Sequence, residues 1–92
     1  MQIGMITGRV TATRKDEKLV GTKLLITQPI DVQGKANAQP IIAVDTVGAG
    51  VGEKVIYVTG SMASRALPDS SAPVDAAIVG IIDSLDCEEV GD

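Results

Sequence analysis

Two short apolar runs enclose a glycine-rich loop in residues 41–59, which read IIAVDTVGAGVGEKVIYVT. Glycine, proline and polar residues at the ends of each run limit its length. Both runs are therefore predicted to be β-strands. Side chains alternate between the two faces of a strand, so Ile41 and Ile42 must point in opposite directions, as must Val55 and Ile56. These strands therefore require apolar surroundings on both faces.

Three further runs of the same kind lie outside this stretch. The five predicted strands are residues 2–14, 23–32, 41–44, 54–59 and 76–82. Ser61 is expected to cap a short helix that runs through Leu67 and ends at Pro68. Five short strands with one short helix are typical of a mainly β (all-β) protein, here a small, partly open five-stranded barrel of the oligonucleotide-binding (OB) type. No repeat or boundary divides the chain, so residues 1–92 are predicted to be a single domain.

The first two strands have a predicted inward face. In the first strand, the inward residues are expected to be Ile6, Val10 and Ala12, with Gly4 and Gly8 on the same face. Glycine at such positions permits the sharp bend of a small barrel. In the second strand, the inward residues are expected to be Leu24, Ile26, Ile30 and Val32, with Gln28 as the polar exception.

The last strand is also apolar on both faces, because Ile81 and Ile82 alternate. Strands buried on both faces usually lie in parallel sheets between helices, and this chain has no helices for that purpose. The remaining cover is another copy of the chain, so the pattern predicts an obligate oligomer. The predicted subunit interface consists of three pairs of neighbouring residues, one pair from each of these strands: Ile41 and Ile42, Val55 and Ile56, and Ile81 and Ile82.

The composition favours the same conclusion. The chain has 92 residues without Phe or Trp, and Tyr57 is its single aromatic residue. Aromatic side chains bury the largest areas, and a domain of this size buries only about 60–65 % of the surface that its unfolded chain exposes. Its stability is therefore expected to depend on neighbouring subunits.

The charge balance indicates no nucleic acid or membrane partner. The net charge is −4, whereas phosphate backbones and anionic lipids attract clusters of Lys and Arg. No secretory signal is recognisable, and no apolar stretch approaches the roughly 20 residues of a membrane helix. A single cysteine, Cys87, cannot form an internal disulfide, which is typical of a reducing cytosol. We expect a soluble cytoplasmic protein.

The residues also argue against catalysis, cofactor binding and metal binding. The chain has no histidine, the commonest general base and metal ligand. Cys87 lies among acidic residues, which disfavour a thiolate. The carboxylates at strand ends are interpreted as turn formers; they are Asp45, Glu53, Asp75 and Asp83. Gly48, Gly50 and Gly52 precede a strand, whereas a dinucleotide site needs a helix at that point.

Two other function classes remain open at this level. A barrel that binds a small ligand or nucleic acid is one, although the base-stacking aromatic residues and basic groove of such barrels are missing. An enzyme with a carboxylate site at a subunit interface, involving Asp45 or Asp83, is the other.

Four segments in a fixed order resemble a known family. The first is Gly8, Arg9 and Val10 with Thr13 and Lys15, and the second runs from Gly21 through Gln28 to Asp31. The most distinctive are residues 43–53, AVDTVGAGVGE, and residues 73–83, PVDAAIVGIID. Over residues 1–85 the chain resembles the vertex proteins of carboxysomes and of ethanolamine- and propanediol-utilising microcompartments. It departs from the family at GSMASR, residues 60–65, where Arg65 stands one position later than usual, so the family arginine's contact cannot be transferred to it.

The resemblance implies a structural protein without catalytic activity. It implies a pentamer of OB-like barrels in the shell of a bacterial microcompartment, where fivefold units close a layer of hexameric shell proteins. It also makes the glycine loop a candidate pore or assembly loop near the fivefold axis. The residues assigned to that loop are Gly48, Ala49, Gly50, Gly52 and Glu53.

Overall fold

A closed five-stranded barrel forms the body of the protein in a computed structural model that describes residues 1–13, 15–68 and 71–85. The strands are β1 (Gln2–Val10), β2 (Lys23–Pro29), β3 (Ile41–Asp45), β4 (Lys54–Thr59) and β5 (Ala76–Ile81), with one helix, α1 (Ser61–Arg65), and a 3-10 turn at Glu17–Leu19. The order around the barrel is β1-β2-β3-β5-β4, and only the β3–β5 pair is parallel. The mainly β prediction is confirmed.

The barrel is closed rather than partly open, because β1 pairs along both of its edges. Residues 2–5 of this strand pair with β4, and residues 4–10 pair with β2. A nine-residue strand that changes partner along its length can join both ends of the sheet. The closing contact between β3 and β5 is short, since only Val44 pairs with Ala77 and Asp45 with Ile78.

A bulge in β1 corrects the predicted facing of its second half. The register with β2 shifts between Ile6 and Gly8, so Thr7 is an extra residue. Before the bulge Gly4 lies on the inner face, and after it Gly8 lies on the outer face beside Ile26. The two glycines therefore do not share a face, contrary to the prediction.

The predicted facing of β2 is also wrong. Its inward residues are Leu25, Thr27 and Pro29, whereas Leu24 and Ile26 face outward. The prediction placed Gln28 on the inner face as its one polar residue, whereas the polar residue on that face is Thr27. The Thr27 hydroxyl donates a hydrogen bond to the backbone oxygen of Leu25 at 3.4 Å. Val10 pairs with Leu24 on the outer face, and Ala12 lies beyond the end of β1. Ile30 is buried as predicted, but Val32 is exposed.

Aliphatic side chains and one aromatic ring fill the barrel. The core cluster consists of Ile6, Leu25, Ala43, Ala49, Val55, Tyr57, Ala76 and Ile78. The ring of Tyr57 is 1 % exposed, and its hydroxyl donates to Oε1 of Gln2 at 2.7 Å. The hydrogen bond satisfies the polar tip of the ring, and burial raises the pKa of the Tyr57 hydroxyl.

The helix α1 contacts β4 and β5. It begins at Ser61, after Gly60 turns the chain at a φ of 69°. Gly60, rather than Ser61, therefore occupies the cap position, and no side chain caps the helix. Ala63 faces the barrel and is buried, while Arg65 is exposed and its Nη1 lies 3.8 Å from Sδ of Met62.

Candidate functional site

The glycine loop, residues 48–53, folds back onto the barrel. Ala49 is completely buried and belongs to the core cluster. Gly48 and Gly52 have φ angles of 83° and 92°, which other residues rarely adopt, whereas Gly50 has no positive φ. Of the residues assigned to the candidate pore loop, Ala49 therefore cannot present its side chain to a central opening.

Asp45 holds the first half of the glycine loop. Its side chain is 4 % exposed, and its two oxygens accept hydrogen bonds from the backbone nitrogens of Val47, Gly48 and Ala49 at 3.0–3.2 Å. Nζ of Lys23 lies 3.3 Å from Oδ2 of Asp45 and also donates to the backbone oxygen of Ala49. The Asp45 carboxylate thus has a complete set of structural partners.

Glu53 holds the second half of the loop. Its Oε1 accepts a hydrogen bond from the backbone nitrogen of Gly50 at 2.7 Å. The backbone nitrogen of Ile6 donates to the oxygen of Glu53 at 3.0 Å, and that of Gly52 donates to the oxygen of Ile6 at 2.8 Å. The loop is therefore tied at both ends, and it projects Val51, which is 64 % exposed.

The predicted interface pairs divide between the inside and the outside of the barrel. Val55 is completely buried in the core, and Ile41 and Ile81 pack against that core. Val55 is therefore covered within one chain, whereas Ile41 and Ile81 are only partly buried. The partners that face outward and remain available for contact are Ile42, Ile56 and Ile82.

An open apolar groove collects residues from three strands. It has a volume of about 450 Å³, and its apolar lining consists of Ile3, Ile56, Ile81, Ile82 and Leu85. Sequence reasoning missed Ile3 and Leu85. The alternation of β1 before its bulge contains the signal for Ile3, because Ile3 must point away from the face that carries Gly4 and Ile6.

The other candidate chemistries find little support in this geometry. Asp75 and Asp83 are exposed, and within the described ranges no group of three or more His, Cys, Asp or Glu side chains is arranged to hold a metal ion. Cys87 lies outside the described residues. The ring of Tyr57, the chain's single aromatic residue, lies inside the barrel and cannot stack on a nucleic acid base. None of the helices in the described part of the chain has the length and apolar composition needed to cross a membrane.

Known proteins match the chain over nearly its whole length. Residues 1–83 match the family described as "Ethanolamine utilisation protein EutN/carboxysome". The microcompartment shell vertex protein PduN of Salmonella typhimurium is 40 % identical over 91 residues, which cover 95 % of this chain and 100 % of PduN. The carboxysome shell vertex protein CcmL of Gloeobacter violaceus is 41 % identical over 92 % of this chain and 85 % of its own length.

A solved structure extends the likeness to three dimensions. The GrpN pentameric microcompartment shell protein from Rhodospirillum rubrum superposes with a TM-score of 0.87 at 40 % identity. The match covers 96 % of this chain and 100 % of GrpN. On this evidence of sequence and fold together, the chain belongs to the EutN/CcmL family of shell proteins.

Proposed function

We propose that this chain is a structural shell protein that forms the pentameric vertices of a bacterial microcompartment. The observation that carries the proposal is family membership over residues 1–83, together with relatives named as shell vertex proteins. The apolar outer surface is consistent with it, because a closed barrel has its own core and gains nothing from further apolar residues unless another chain covers them.

The proposed mechanism is geometric rather than chemical. Hexameric shell proteins tile a flat layer, and fivefold units at the corners allow that layer to close into a polyhedron. A heterologous interface, in which two different faces of one subunit meet, closes into a ring when its rotation permits. Five copies of this chain in such a ring supply the corner, and no catalytic step is needed.

Ile42, Ile56 and Ile82 are the proposed interface residues. Each is an aliphatic strand-end or strand residue on the outer surface of the barrel. Contact with a second copy removes their side chains from water, at about 25 cal/mol for each Å² of apolar area buried. The charged residues at the periphery are left for contacts with hexameric shell proteins.

The glycine loop is the proposed element nearest the fivefold axis. Its two halves are fixed by Asp45 and Glu53, so five copies would bring together a rigid rather than a mobile backbone. Gly50→Leu adds bulk at a partly exposed position and is expected to disturb ring formation. Unchanged assembly of the Gly50→Leu variant would remove the loop from the axis without affecting the proposed shell role.

The vertex role is tested by assembly in cells. Hexameric shell proteins are co-expressed with and without this chain, and the particles are imaged by electron microscopy. We expect closed polyhedra only when the chain is present, and open or elongated shells in its absence. Fully capped, closed particles without the chain would overturn the proposed function.

A further inference from the structure

Two apolar faces lie on the outside of the barrel. The first is the groove defined above, with Ile3 of β1 and Ile56 of β4 on its walls. The second, called the ridge below, is the pair Ile26 and Ile42, which are cross-strand partners on the outer face of β2 and β3. Ile42 is 54 % exposed. The structure describes all five strands, and no other large apolar residue in them is as exposed as Ile42.

The strand order places these faces on opposite sides of the molecule. In the closed order β1-β2-β3-β5-β4, the seam between β1 and β4 is separated from β3 by β2 on one side and by β5 on the other. The groove is lined from β1, β4 and β5, among which β4 lies between the other two, and the ridge lies on β2 and β3, the two strands that β4 does not adjoin. One chain therefore carries two separate aliphatic faces that cannot reach each other.

We infer that the ridge of one copy packs into the groove of the next copy. This inference rests on the proposed pentamer and adds which faces meet in it. The groove is filled by a second copy of the chain, because every copy carries both a groove and a ridge. Each subunit of a ring then uses each of these two faces once. An open dimer leaves one groove and one ridge in water, so the contact favours closure. The pentameric relative GrpN has the same fold.

Paired variants test this arrangement. Ile42→Asp places a charge on the ridge and leaves the groove intact, whereas Ile56→Asp damages the groove and leaves the ridge intact. We expect native mass spectrometry to show that neither variant forms pentamers. When the two variants are mixed, the intact ridge of Ile56→Asp can pack into the intact groove of Ile42→Asp. We therefore expect a 1:1 heterodimer that does not grow further, because its two remaining faces are both damaged.

A matched control guards against a general effect of charge. Val20, in the segment between β1 and β2, is 69 % exposed and belongs to neither face. The Val20→Asp variant is expected to form pentamers like the wild-type chain. Circular dichroism of each variant checks that the barrel is folded.

Cross-linking keeps the inference testable if an Asp variant fails to fold. The double variant Ile42→Cys/Ile56→Cys, in a Cys87→Ser background, places thiols on both faces. A disulfide requires Cα atoms about 4.4–6.8 Å apart, so oxidation should yield covalent ladders of up to five chains in denaturing gels. Each single-cysteine variant should remain uncross-linked.

Several outcomes would overturn the inference. Pentamers that persist in both Asp variants would show that neither face is needed. Homodimers of Ile42→Asp, or cross-links in the Ile42→Cys single variant, would indicate that like faces pair with like. In each of these cases the wild-type chain still forms a pentamer and the proposed vertex role stands, whereas a monomeric wild-type chain would contradict the role itself.

Discussion

Gly4 is the residue at which one added methyl group should disturb the core most. A Cβ atom there would lie 2.5 Å from Cγ2 of Thr27 and 3.1 Å from Cε1 of Tyr57. Both neighbours are buried and cannot withdraw into solvent. We expect Gly4→Ala to lower the free energy of unfolding by about 1–3 kcal/mol through overpacking, measured by urea denaturation at fixed protein concentration.

Two further variants separate the steric clash from other effects at Gly4. Thr27→Ser removes the methyl group that clashes, so the double variant Gly4→Ala/Thr27→Ser should recover part of the loss. Gly80→Ala serves as a control, because its Cβ would meet Ile56 only at an ordinary distance of 3.7 Å. A Gly4→Ala protein as stable as the wild-type chain would contradict the close packing at this position.

Asp31 has a carboxyl group whose pKa is lowered by the turn that follows it. Hydrogen bonds from the backbone nitrogens of Lys35 and Gln33, at 3.0 and 2.9 Å, lower the pKa of its carboxyl group below the ordinary 3.8. Because the folded pKa is below the unfolded one, the turn is stabilised above about pH 4 and loses this stabilisation as the pH falls through the folded pKa. Carboxyl ¹³C shifts should titrate below 3.8; a midpoint at or above it would exclude these bonds.

Among the secondary structure elements, the strands themselves could be predicted and their facing could not. Short apolar runs between glycine and proline give the position of β4 to the residue, since residues 54–59 are both predicted and observed. Alternation gives the inward face only while the register is regular. The bulge at Thr7 exchanges the inward and outward positions in the second half of β1. No residue in the sequence predicts this bulge.

The glycine loop shows the same limit for the candidate site. Ala49 between two glycines has the composition of an exposed linker, yet it is buried because Asp45 gathers three backbone amides and folds the loop over the core. That arrangement depends on the register between β2 and β3, which sets Lys23 opposite Asp45. The two-sided apolar pattern was informative, since Ile42, Ile56 and Ile82 do face outward.

The glycine loop should loosen when the Asp45 carboxylate is removed. Asp45→Ala leaves backbone donors near the core without acceptors, at a cost of about 1–3 kcal/mol in the free energy of unfolding. Asp45→Asn keeps one side-chain oxygen acceptor and should fall between alanine and the wild type. Amide hydrogen exchange at Val47, Gly48 and Ala49 should become faster in the same order.

Lys23→Met provides a matched comparison for this loop. It removes the ion pair with Asp45 and the bond to the Ala49 oxygen but leaves the three amide bonds in place. Exchange at residues 47–49 should therefore change less than in Asp45→Ala. Equal protection in the wild type and Asp45→Ala would show that the carboxylate does not hold the loop.

For the whole molecule, one physical question is how a barrel without Phe or Trp remains folded. Its interior holds aliphatic side chains, three alanines and one tyrosine, and a further set of aliphatic side chains lies on the outside. If neighbouring copies cover those outer side chains, then association adds to the stability of the folded chain. The free energy of unfolding must therefore depend on protein concentration.

This dependence can be measured directly. We expect the Tm of the wild-type chain to rise over a concentration range from about 1 to about 100 µM, because association stabilises the folded state by mass action. The Ile42→Asp variant, which retains the inner core but not the exposed apolar side chain, should have a lower Tm that does not change with concentration. Val20→Asp should follow the wild-type curve. A wild-type Tm that is constant over this range, with a single-copy mass in native mass spectrometry, would mean that one chain is sufficient for folding and that its outer isoleucines need no neighbour.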